Sequence, residues 1–317
     1  MGILDGRVAI VTGAGRGVGR GEALALAAQG AAVVVNDLGG AWDGTGQDAR
    51  PAQTVVDEIV AAGGRAVANH DDVADWEGAE RLVQQAIDTF GDLDILVNNA
   101  GILRDAMTFS MTEADWDAVI RVHLRGHFGP TRCAAAHWRA QHKAGVARPR
   151  AIVNTTSESG LFGNAAQSNY DAAKLGIVSM TIAQAKELGR YGVTVNAVAP
   201  RARTRLTVSA FEGTTRAGEF EVEEGVFDEM DPDNIAPFVV FLASGHAADV
   251  TGQVFIVWGG TVAHVRMPHV ADAIQQDHRW SVEELAGRRE ELFASLGPSV
   301  YEGPKGYARL PSVVREP

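Results

Sequence analysis

Short runs of apolar residues alternate with longer amphipathic segments along most of the chain. The runs start at Arg7, Ala31, Arg65, Leu93, Arg150, Val193 and Gln253. Nearly every position within them is apolar, which is typical of parallel strands that are covered on both faces. Between them, segments such as Asp75–Phe90 and Tyr170–Arg190 carry apolar residues at helical spacing. The alternation predicts an α/β fold with a doubly wound, seven-stranded parallel sheet and helices on both faces.

Three segments exceed what a minimal fold of this kind needs. Leu38–Arg50 is rich in glycine, Thr204–Met230 is polar and acidic, and residues 261–317 follow the last predicted strand. We therefore expect a main domain over residues 1–260 and a C-terminal helical tail over residues 261–317.

Composition and charge narrow the class of protein. Of the 317 residues, 46% are hydrophobic, and the net charge of -12 disfavours nucleic acid and anionic membranes as partners. The single cysteine, Cys133, excludes an internal disulfide and indicates a reducing compartment. No signal-peptide pattern follows Met1 and no apolar run reaches spanning length, so we expect a cytoplasmic protein. We predict no metal site.

The first predicted strand leads into the glycine-rich turn Thr12–Gly19 and then into a helix. Glycines permit a tight turn there, and backbone N–H groups at a helix N-terminus attract a pyrophosphate. A plain turn could contain the same glycines, so the surrounding strand and helix carry the argument. The turn predicts a Rossmann-type dinucleotide site, with these candidate contacts: Gly13, Arg16, Gly17, Val18 and Gly19.

An acidic residue, Asp37, closes the second predicted strand. Its carboxylate could accept hydrogen bonds from a ribose diol and would repel a 2′-phosphate, which favours NAD over NADP. Arg16 favours NADP to a smaller extent, because a guanidinium at that position could bind a phosphate. Asp72 and Val73 follow the third strand and are expected to contact the adenine.

Tyr170 and Lys174 are four residues apart on a predicted helix, so they share one face. A cation about 4 Å away could lower a tyrosine pKa by roughly three units, bringing Tyr170 near the pH where a general base works best. Ser157, at the end of the fifth strand, could hold the substrate oxygen. The alternative for the pair alone is a surface aromatic with a nearby lysine. Together these residues predict hydride transfer at a secondary alcohol or ketone.

These motifs occur in the order found in the short-chain dehydrogenase/reductase family, which the chain resembles over residues 5–260. Within that family it resembles the dehydrogenase part of the peroxisomal D-bifunctional proteins. The segments that carry this narrower likeness are VVVNDLGG from Val33, GGRAVANHD from Gly63, NNAGILRD from Asn98, RVHLRG from Arg121 and SNYDAAKLG from Ser168. The resemblance implies an NAD-dependent (3R)-hydroxyacyl-CoA dehydrogenase, also described as a 17β-hydroxysteroid dehydrogenase, that forms a dimer.

The resemblance also implies roles for individual residues. It supports Ser157, Tyr170 and Lys174 as catalytic, with the last two also touching the cofactor. Thr204 follows Pro200 and stands where the family places a hydroxyl near the nicotinamide amide. The further cofactor contacts that it supports are Gly13, Gly17, Gly19, Asp37, Asp72, Val73, Asn99 and Gly101.

Two places depart from the family pattern. His123 stands where most members have an asparagine that takes part in a proton-relay water path. Two roles for His123 are open. Its side chain could take part in the relay, or its backbone carbonyl could bind the water. The stretch Pro200–Arg205 lacks the usual Pro-Gly and carries Arg201, Arg203 and Arg205. These arginines could dock CoA phosphates or form a solvated loop.

We predict oxidation of a bulky (3R)-hydroxyacyl-CoA, with an acyl group that could be steroid-derived, by a homodimer or homotetramer. The alternatives are a 17β-hydroxysteroid dehydrogenase acting on free steroids, another alcohol or ketone oxidoreductase of the family, and a nucleotide sensor with a vestigial site.

In the tail, Ser281 and Glu284 form a capping-box start for a helix predicted over Ser281–Leu296, ended by Gly297-Pro298. By resemblance, we expect this tail to cover the substrate pocket, that of the partner subunit in a two-fold dimer.

Overall fold

The computed structural model describes residues 2–205, 207, 225–266 and 270–295. Their main element is one eight-stranded sheet with the strand order β3-β2-β1-β4-β5-β6-β7-β8. Its strands are β1 (Val8–Thr12), β2 (Ala32–Asn36), β3 (Arg65–Asn69), β4 (Ile95–Asn98), β5 (Arg150–Thr155), β6 (Val193–Pro200), β7 (Val254–Trp258) and β8 (Thr261–Val265). The first seven pair in parallel, as the uniformly apolar runs predict.

Helices cover both faces of the sheet, and each face has its own apolar core. Val11 and Val33 belong to one buried cluster, and Ile10 and Val34 belong to another, because successive residues of a strand point to opposite faces. The helices are α1 (Gly17–Ala28), α2 (Arg50–Ala61), α3 (Trp76–Phe90), α4 (Glu113–Ile120), α5 (Gly126–Lys143), α6 (Glu158–Phe162), α7 (Ser168–Leu188) and α8 (Ala236–Ala243). A π-helical turn, Arg121–Arg125, joins α4 to α5. Short 3₁₀ turns span Gly189–Tyr191, Pro232–Asn234 and Gly245–Ala247.

The eighth strand corrects the prediction of a seven-stranded, wholly parallel sheet. β8 follows β7 through a tight turn in which Gly259 has φ +46°, and it pairs with β7 antiparallel. Its residues alternate between exposed and partly buried, as expected of an edge strand with one covered face. The sheet therefore continues past residue 260, and the compact unit that contains it ends at Val265.

The second unit begins at Arg266. The capping box at Ser281 and Glu284 is present, because each side chain binds the other's backbone N–H. The single helix predicted after it is two short ones, α9 (Val282–Gly287) and α10 (Arg289–Leu292), since Arg288 leaves the helical region with φ -108° and ψ 18°. Leu296 and Gly297-Pro298 lie outside the described residues.

The glycine-rich insertion Leu38–Arg50 is anchored to the segment that follows β4. The Leu103 N–H donates to the Trp42 carbonyl at 3.0 Å, and Arg104 Nε donates to the Asp43 carbonyl at 3.0 Å. This insertion therefore connects the end of β2 with the segment after β4, part of which approaches Tyr170. Of the other predicted insertion, Thr204–Met230, residues 206 and 208–224 lie outside the described part of the chain.

Candidate active site

The predicted cofactor and catalytic residues meet at the carboxyl edge of the sheet. The strand order reverses between β1 and β4, and open α/β sheets bind ligands in the crevice at such a switch point. Residues that follow the strands β1 to β6, together with Tyr170 and Lys174 on α7, supply the site described below.

The glycine turn after β1 has the geometry of an anion cradle. Gly13 and Gly17 have φ +63° and +54°, a conformation that favours glycine. A Cβ at Gly19 would lie 2.5 Å from the Gly13 carbonyl oxygen, so only glycine lets the helix start so close to the turn. Val18 is buried beneath the turn and Arg16 is partly exposed at the start of α1. The turn therefore fits the pyrophosphate of a dinucleotide.

Asp37 lies directly beside this turn. Its Oδ2 accepts the Gly15 N–H at 2.8 Å, and its Oδ1 accepts the Gly39 N–H at 2.6 Å. Each carboxylate oxygen keeps a further lone pair with which a ribose diol could bond. Arg16 and Asp37 both act electrostatically on Arg205, whose pKa is lowered by burial. The guanidinium groups of Arg16 and Arg205 therefore accompany the Asp37 carboxylate, at the place where the 2′-phosphate that distinguishes NADP from NAD would be expected.

Asn99 ties the glycine turn to the end of β4. Its Nδ2 donates to the carbonyls of Thr12 and Gly13 at 3.0 and 3.1 Å, and its N–H donates to the Thr12 hydroxyl at 2.9 Å. Gly101, two residues on, has no space for a side chain, because a Cβ would lie 2.4 Å from the His123 Cε1. Both residues thus shape the floor of the cofactor crevice.

Asp72 and Val73 follow β3 as predicted, but each already has a partner within the protein. Asp72 accepts a hydrogen bond from Arg121 at 2.7 Å and one from the Ala74 N–H at 2.8 Å. Val73 is buried, and its Cγ2 would lie 3.0 Å from a Cβ added at Gly126. Adenine contact by these two residues stays a prediction.

Thr204 lies over the glycine turn, since a Cβ at Gly17 would be 3.5 Å from its Cγ2. Its hydroxyl accepts the Thr207 N–H at 3.2 Å, which folds the chain back at the mouth of the crevice. This position is compatible with the predicted contact to a nicotinamide amide.

Arg201 and Arg203, near Thr204, form ion pairs within the protein. Arg201 donates to both oxygens of Glu158 at 2.8 and 2.5 Å, and its guanidinium lies 4.6 Å from the centre of the Trp258 ring. Arg203 pairs with Asp228. Because Glu158 directly follows Ser157, the Arg201 pair fastens the start of α6 to the ends of β6 and β7.

Ser157 lies two residues after β5 and caps the short helix α6. Its hydroxyl accepts the Ser159 N–H at 3.3 Å and lies 2.9 Å from the Ser159 hydroxyl. The capping geometry fixes the Ser157 side chain in the crevice, where the substrate oxygen is expected.

Lys174 is buried on α7, and its Nζ donates to the Thr155 carbonyl at 2.6 Å. Burial lowers the pKa of Lys174 to about 7. The ammonium group lies 5.5 Å from the centre of the Tyr170 ring, which confirms that the two side chains share one face of the helix. The Lys174 carbonyl also accepts the Thr156 hydroxyl at 2.8 Å, which locks α7 against the end of β5.

The pKa of Tyr170 differs from our expectation. Burial raises it above its usual range, and the hydrogen bond with Ser157 lowers it only partly. Asp105 and Asp171 raise it further through their negative charges. The protein alone therefore does not bring the pKa of Tyr170 near neutral pH, because burial outweighs the Ser157 hydrogen bond and the two carboxyl groups act in the same direction as burial.

His123 lies within the π-helical turn, with its ring centre 5.1 Å from that of Tyr170. Burial and the charge of Lys174 lower the pKa of His123 to about 3. Its Nε2 lies 2.8 Å from the Ile102 carbonyl and 3.2 Å from the Ile102 N–H, so it can donate to the first or accept from the second. A relay that protonates this imidazole is therefore opposed by its surroundings.

Sequence reasoning missed the polar residues that surround Tyr170. Asp105 accepts a hydrogen bond from Gln167 at 2.8 Å, and burial raises its pKa. Asp171 accepts the Asn164 N–H at 2.6 Å. The adjacency of Asp171 to Tyr170 was the available signal, but Asp105 approaches only through the fold.

The comparisons with known proteins agree with this geometry. The family described as short chain dehydrogenase matches residues 7–213. The chain is 46% identical to the hydroxyacyl-CoA dehydrogenase ChsB1 of Mycobacterium tuberculosis over 302 residues, which cover 93% of this chain and 91% of that one. It is 42% identical to the peroxisomal multifunctional enzyme type 2 of Mus musculus over 270 residues, covering 85% of this chain and 34% of that longer protein.

A solved structure is also similar. The crystal structure of a short chain dehydrogenase from Mycobacterium avium aligns with a TM-score of 0.81 and 48% identity, covering 94% of this chain and 98% of that one. Among the described residues, no helix is long and apolar enough to cross a membrane. Dehydrogenases of the matched family generally use NAD or NADP. The chain is therefore an oxidoreductase that belongs to the short-chain dehydrogenase/reductase family.

Proposed function

We propose that this enzyme oxidises a (3R)-hydroxyacyl-CoA to the 3-ketoacyl-CoA with NAD as the hydride acceptor. The observation that carries the proposal is the meeting of Ser157, Tyr170 and buried Lys174 beside the glycine turn, in a chain 46% identical to a hydroxyacyl-CoA dehydrogenase. The similarity supports the acyl-CoA, and Asp37 supports NAD.

In this proposal each catalytic residue acts through its observed position. Ser157 binds and orients the alcohol oxygen. Tyr170 accepts the alcohol proton, and Lys174 holds a positive charge on the same helix face. The glycine turn, Asp37, Asn99 and Thr204 would hold the dinucleotide, whose oxidised nicotinamide supplies a hydride acceptor and a positive charge beside Tyr170. That charge would offset the burial that raises the pKa of Tyr170.

A 17β-hydroxysteroid dehydrogenase that acts on free steroids is the second candidate. The two functions share the reacting alcohol and differ in the CoA group. Arg201 and Arg203 pair with Glu158 and Asp228. Those pairs weaken the case for these two arginines as CoA phosphate ligands, and the acyl-CoA proposal therefore rests on the relatives.

The test is formation of reduced nicotinamide by purified enzyme with (3R)- and (3S)-hydroxyacyl-CoA and a free 17β-hydroxysteroid, each with NAD and with NADP. We expect turnover of the (3R)-thioester with NAD and a much lower kcat/KM for the (3S)-thioester. A Ser157→Ala variant is the matched control and should lose turnover with every substrate. A higher kcat/KM for the free steroid would favour the second candidate, and no turnover of any substrate would refute both.

A further inference from the structure

Tyr170 lies in the first turn of its helix. Because α7 begins at Ser168, the Tyr170 N–H is one of the backbone donors that have no partner inside the helix. Gln167, the residue before the helix, supplies no side-chain cap. Helix ends fray, and a missing cap makes them less stable. The position of the Tyr170 ring therefore depends on contacts other than those of the helix itself.

Asn169, the neighbour of Tyr170, supplies the missing partner. Its Oδ1 accepts the Tyr170 N–H at 2.7 Å. Its Nδ2 donates to the Arg104 carbonyl at 3.0 Å and to the Asp115 carbonyl at 3.2 Å. Asn169 is completely buried, and both polar atoms of its side chain are bonded. Asn169 thus joins the backbone of Tyr170 to the segment after β4 and to α4.

The three partners of Asn169 require an amide side chain. Its oxygen faces an N–H donor and its nitrogen faces two carbonyls, which fixes the orientation of the amide group. An ionised carboxylate at this position would place an oxygen against both carbonyls and could donate to neither. Alanine would remove all three hydrogen bonds. The surroundings of residue 169 are therefore specific for asparagine.

The backbone that leads into α7 also needs support from its neighbours. Ala166, two residues before the helix, has φ +70°, in the left-handed region that residues other than glycine rarely adopt. Such a conformation persists where surrounding contacts hold it. The Ala166 carbonyl accepts the Ala106 N–H at 2.9 Å, and the Ser168 hydroxyl lies 3.0 Å from the Thr108 hydroxyl. The start of α7 is thus held against the segment after β4, and Asn169 makes the contact next to Tyr170.

We propose that Asn169 is a positioning residue that holds Tyr170 in place beside Ser157 and Lys174. The inference rests on the proposed function, because it assumes that Tyr170 accepts the alcohol proton. The polar atoms of Asn169 are bonded within the protein, so it acts through the backbone of Tyr170 and not on the substrate. A displacement of about 1 Å at a reacting group can lower a rate by about a hundredfold. Loss of Asn169 should therefore lower kcat much more than it weakens NAD binding.

The first measurement needs neither substrate nor cofactor. The chain has four tyrosines, so protein labelled with ¹³C at the tyrosine ε positions gives few ring resonances. The resonance that Y170F removes belongs to Tyr170. The His123 ring lies 5.1 Å from the Tyr170 ring at an interplanar angle of 89°, so its ring current makes this resonance sensitive to displacement. We expect N169A to shift the Tyr170 resonance.

Asn196 offers a matched control. It is as completely buried as Asn169, accepts the Gln253 N–H at 3.1 Å and donates to the Val250 carbonyl at 2.7 Å. These bonds tie β6 to the turn before β7, at the edge of the sheet opposite to Tyr170. N196A also removes buried amide bonds and should lower the free energy of unfolding. It should leave the Tyr170 resonance and kcat close to wild type.

The second measurement is the kinetics of (3R)-hydroxyacyl-CoA oxidation, beside the dissociation constant for NAD. N169A should lower kcat by about tenfold to a hundredfold, with little change in NAD affinity. N169S is a milder change, because its hydroxyl can still accept the Tyr170 N–H but is too short to reach both carbonyls. It should lie between wild type and N169A in kcat and in the shift of the Tyr170 resonance.

Several outcomes would overturn the inference. They are an unshifted Tyr170 resonance in N169A, near-normal kcat in N169A, and an equal loss of kcat in N169A and N196A, which would indicate a general loss of stability. If N169A does not fold, the same criteria apply to N169S. If wild type turns over no hydroxyacyl-CoA, the proposed function itself fails, whereas the Tyr170 resonance still tests the positioning role independently of turnover.

Discussion

Glu22 is a buried carboxyl group in a helix that otherwise packs apolar residues. It lies on α1, just after the glycine turn, and is 1% exposed. Its Oε2 has no hydrogen-bond partner. The covered face of α1 contacts α8 and the 3₁₀ turn Pro232–Asn234. Burial without a partner raises the pKa of Glu22 from 4.5 to about 8.

The raised pKa gives a pH dependence of stability with a definite sign. The folded protein binds the Glu22 proton more tightly than the unfolded chain, so the stabilising effect is complete below pH 4.5 and is lost as pH rises to about 8. One pKa unit corresponds to about 1.4 kcal/mol, so at pH 7 the loss is about 3 kcal/mol. That is a large part of the roughly 5–15 kcal/mol by which folded proteins are stable.

The variant Glu22→Gln stays neutral and nearly isosteric, so it should not lose stability over this range. The assay is urea unfolding at pH 5 and pH 8 for both proteins. The difference between them isolates Glu22, because other titrating groups such as Lys174 are common to both. Glu187→Gln, at an exposed position of α7, is the matched control and should follow wild type. Parallel pH dependences for wild type and Glu22→Gln would refute the reasoning.

The remaining predictions concern cofactor choice, the tail and the α6 ion pair. Asp37→Ala should narrow a wild-type preference for NAD, measured as the ratio of kcat/KM with NAD and NADP, and equal wild-type use of both would refute the carboxylate argument. A chain ended at Val265, which keeps β8, should bind NAD normally but show a raised KM for long acyl substrates more than for short ones; equal changes would contradict a tail that covers the pocket. Arg201→Met should lower kcat more than NAD affinity, because its bonds to Glu158 hold the segment that carries Ser157, and an unchanged kcat would argue against that role.

Much of the fold was predictable because each element has a strong local pattern. The apolar runs predicted the parallel strands, and the spacing of Tyr170 and Lys174 predicted their shared helix face. β8 was missed because its residues, Thr261–Val265, alternate and belong to an edge strand, whose pattern is weaker than that of a strand covered on both faces.

The electrostatics of the site were less predictable. The pKa of Tyr170 was expected to fall because of Lys174, but burial and the carboxyl groups of Asp105 and Asp171 raise it. Burial and contacts between distant segments depend on the folded packing, which local spacing does not contain. Asp105 was not identified from the sequence for the same reason, since it approaches Tyr170 only in the fold.

The central claim is that Tyr170 transfers the substrate proton at a site assembled with Ser157 and Lys174. Tyr170→Phe removes only the hydroxyl, so its direct test is kcat with (3R)-hydroxyacyl-CoA and NAD, measured beside the dissociation constant for NAD. The account predicts a fall in kcat of at least about a hundredfold, a typical acid–base contribution, with little change in NAD affinity. Near-normal kcat in Tyr170→Phe would contradict it.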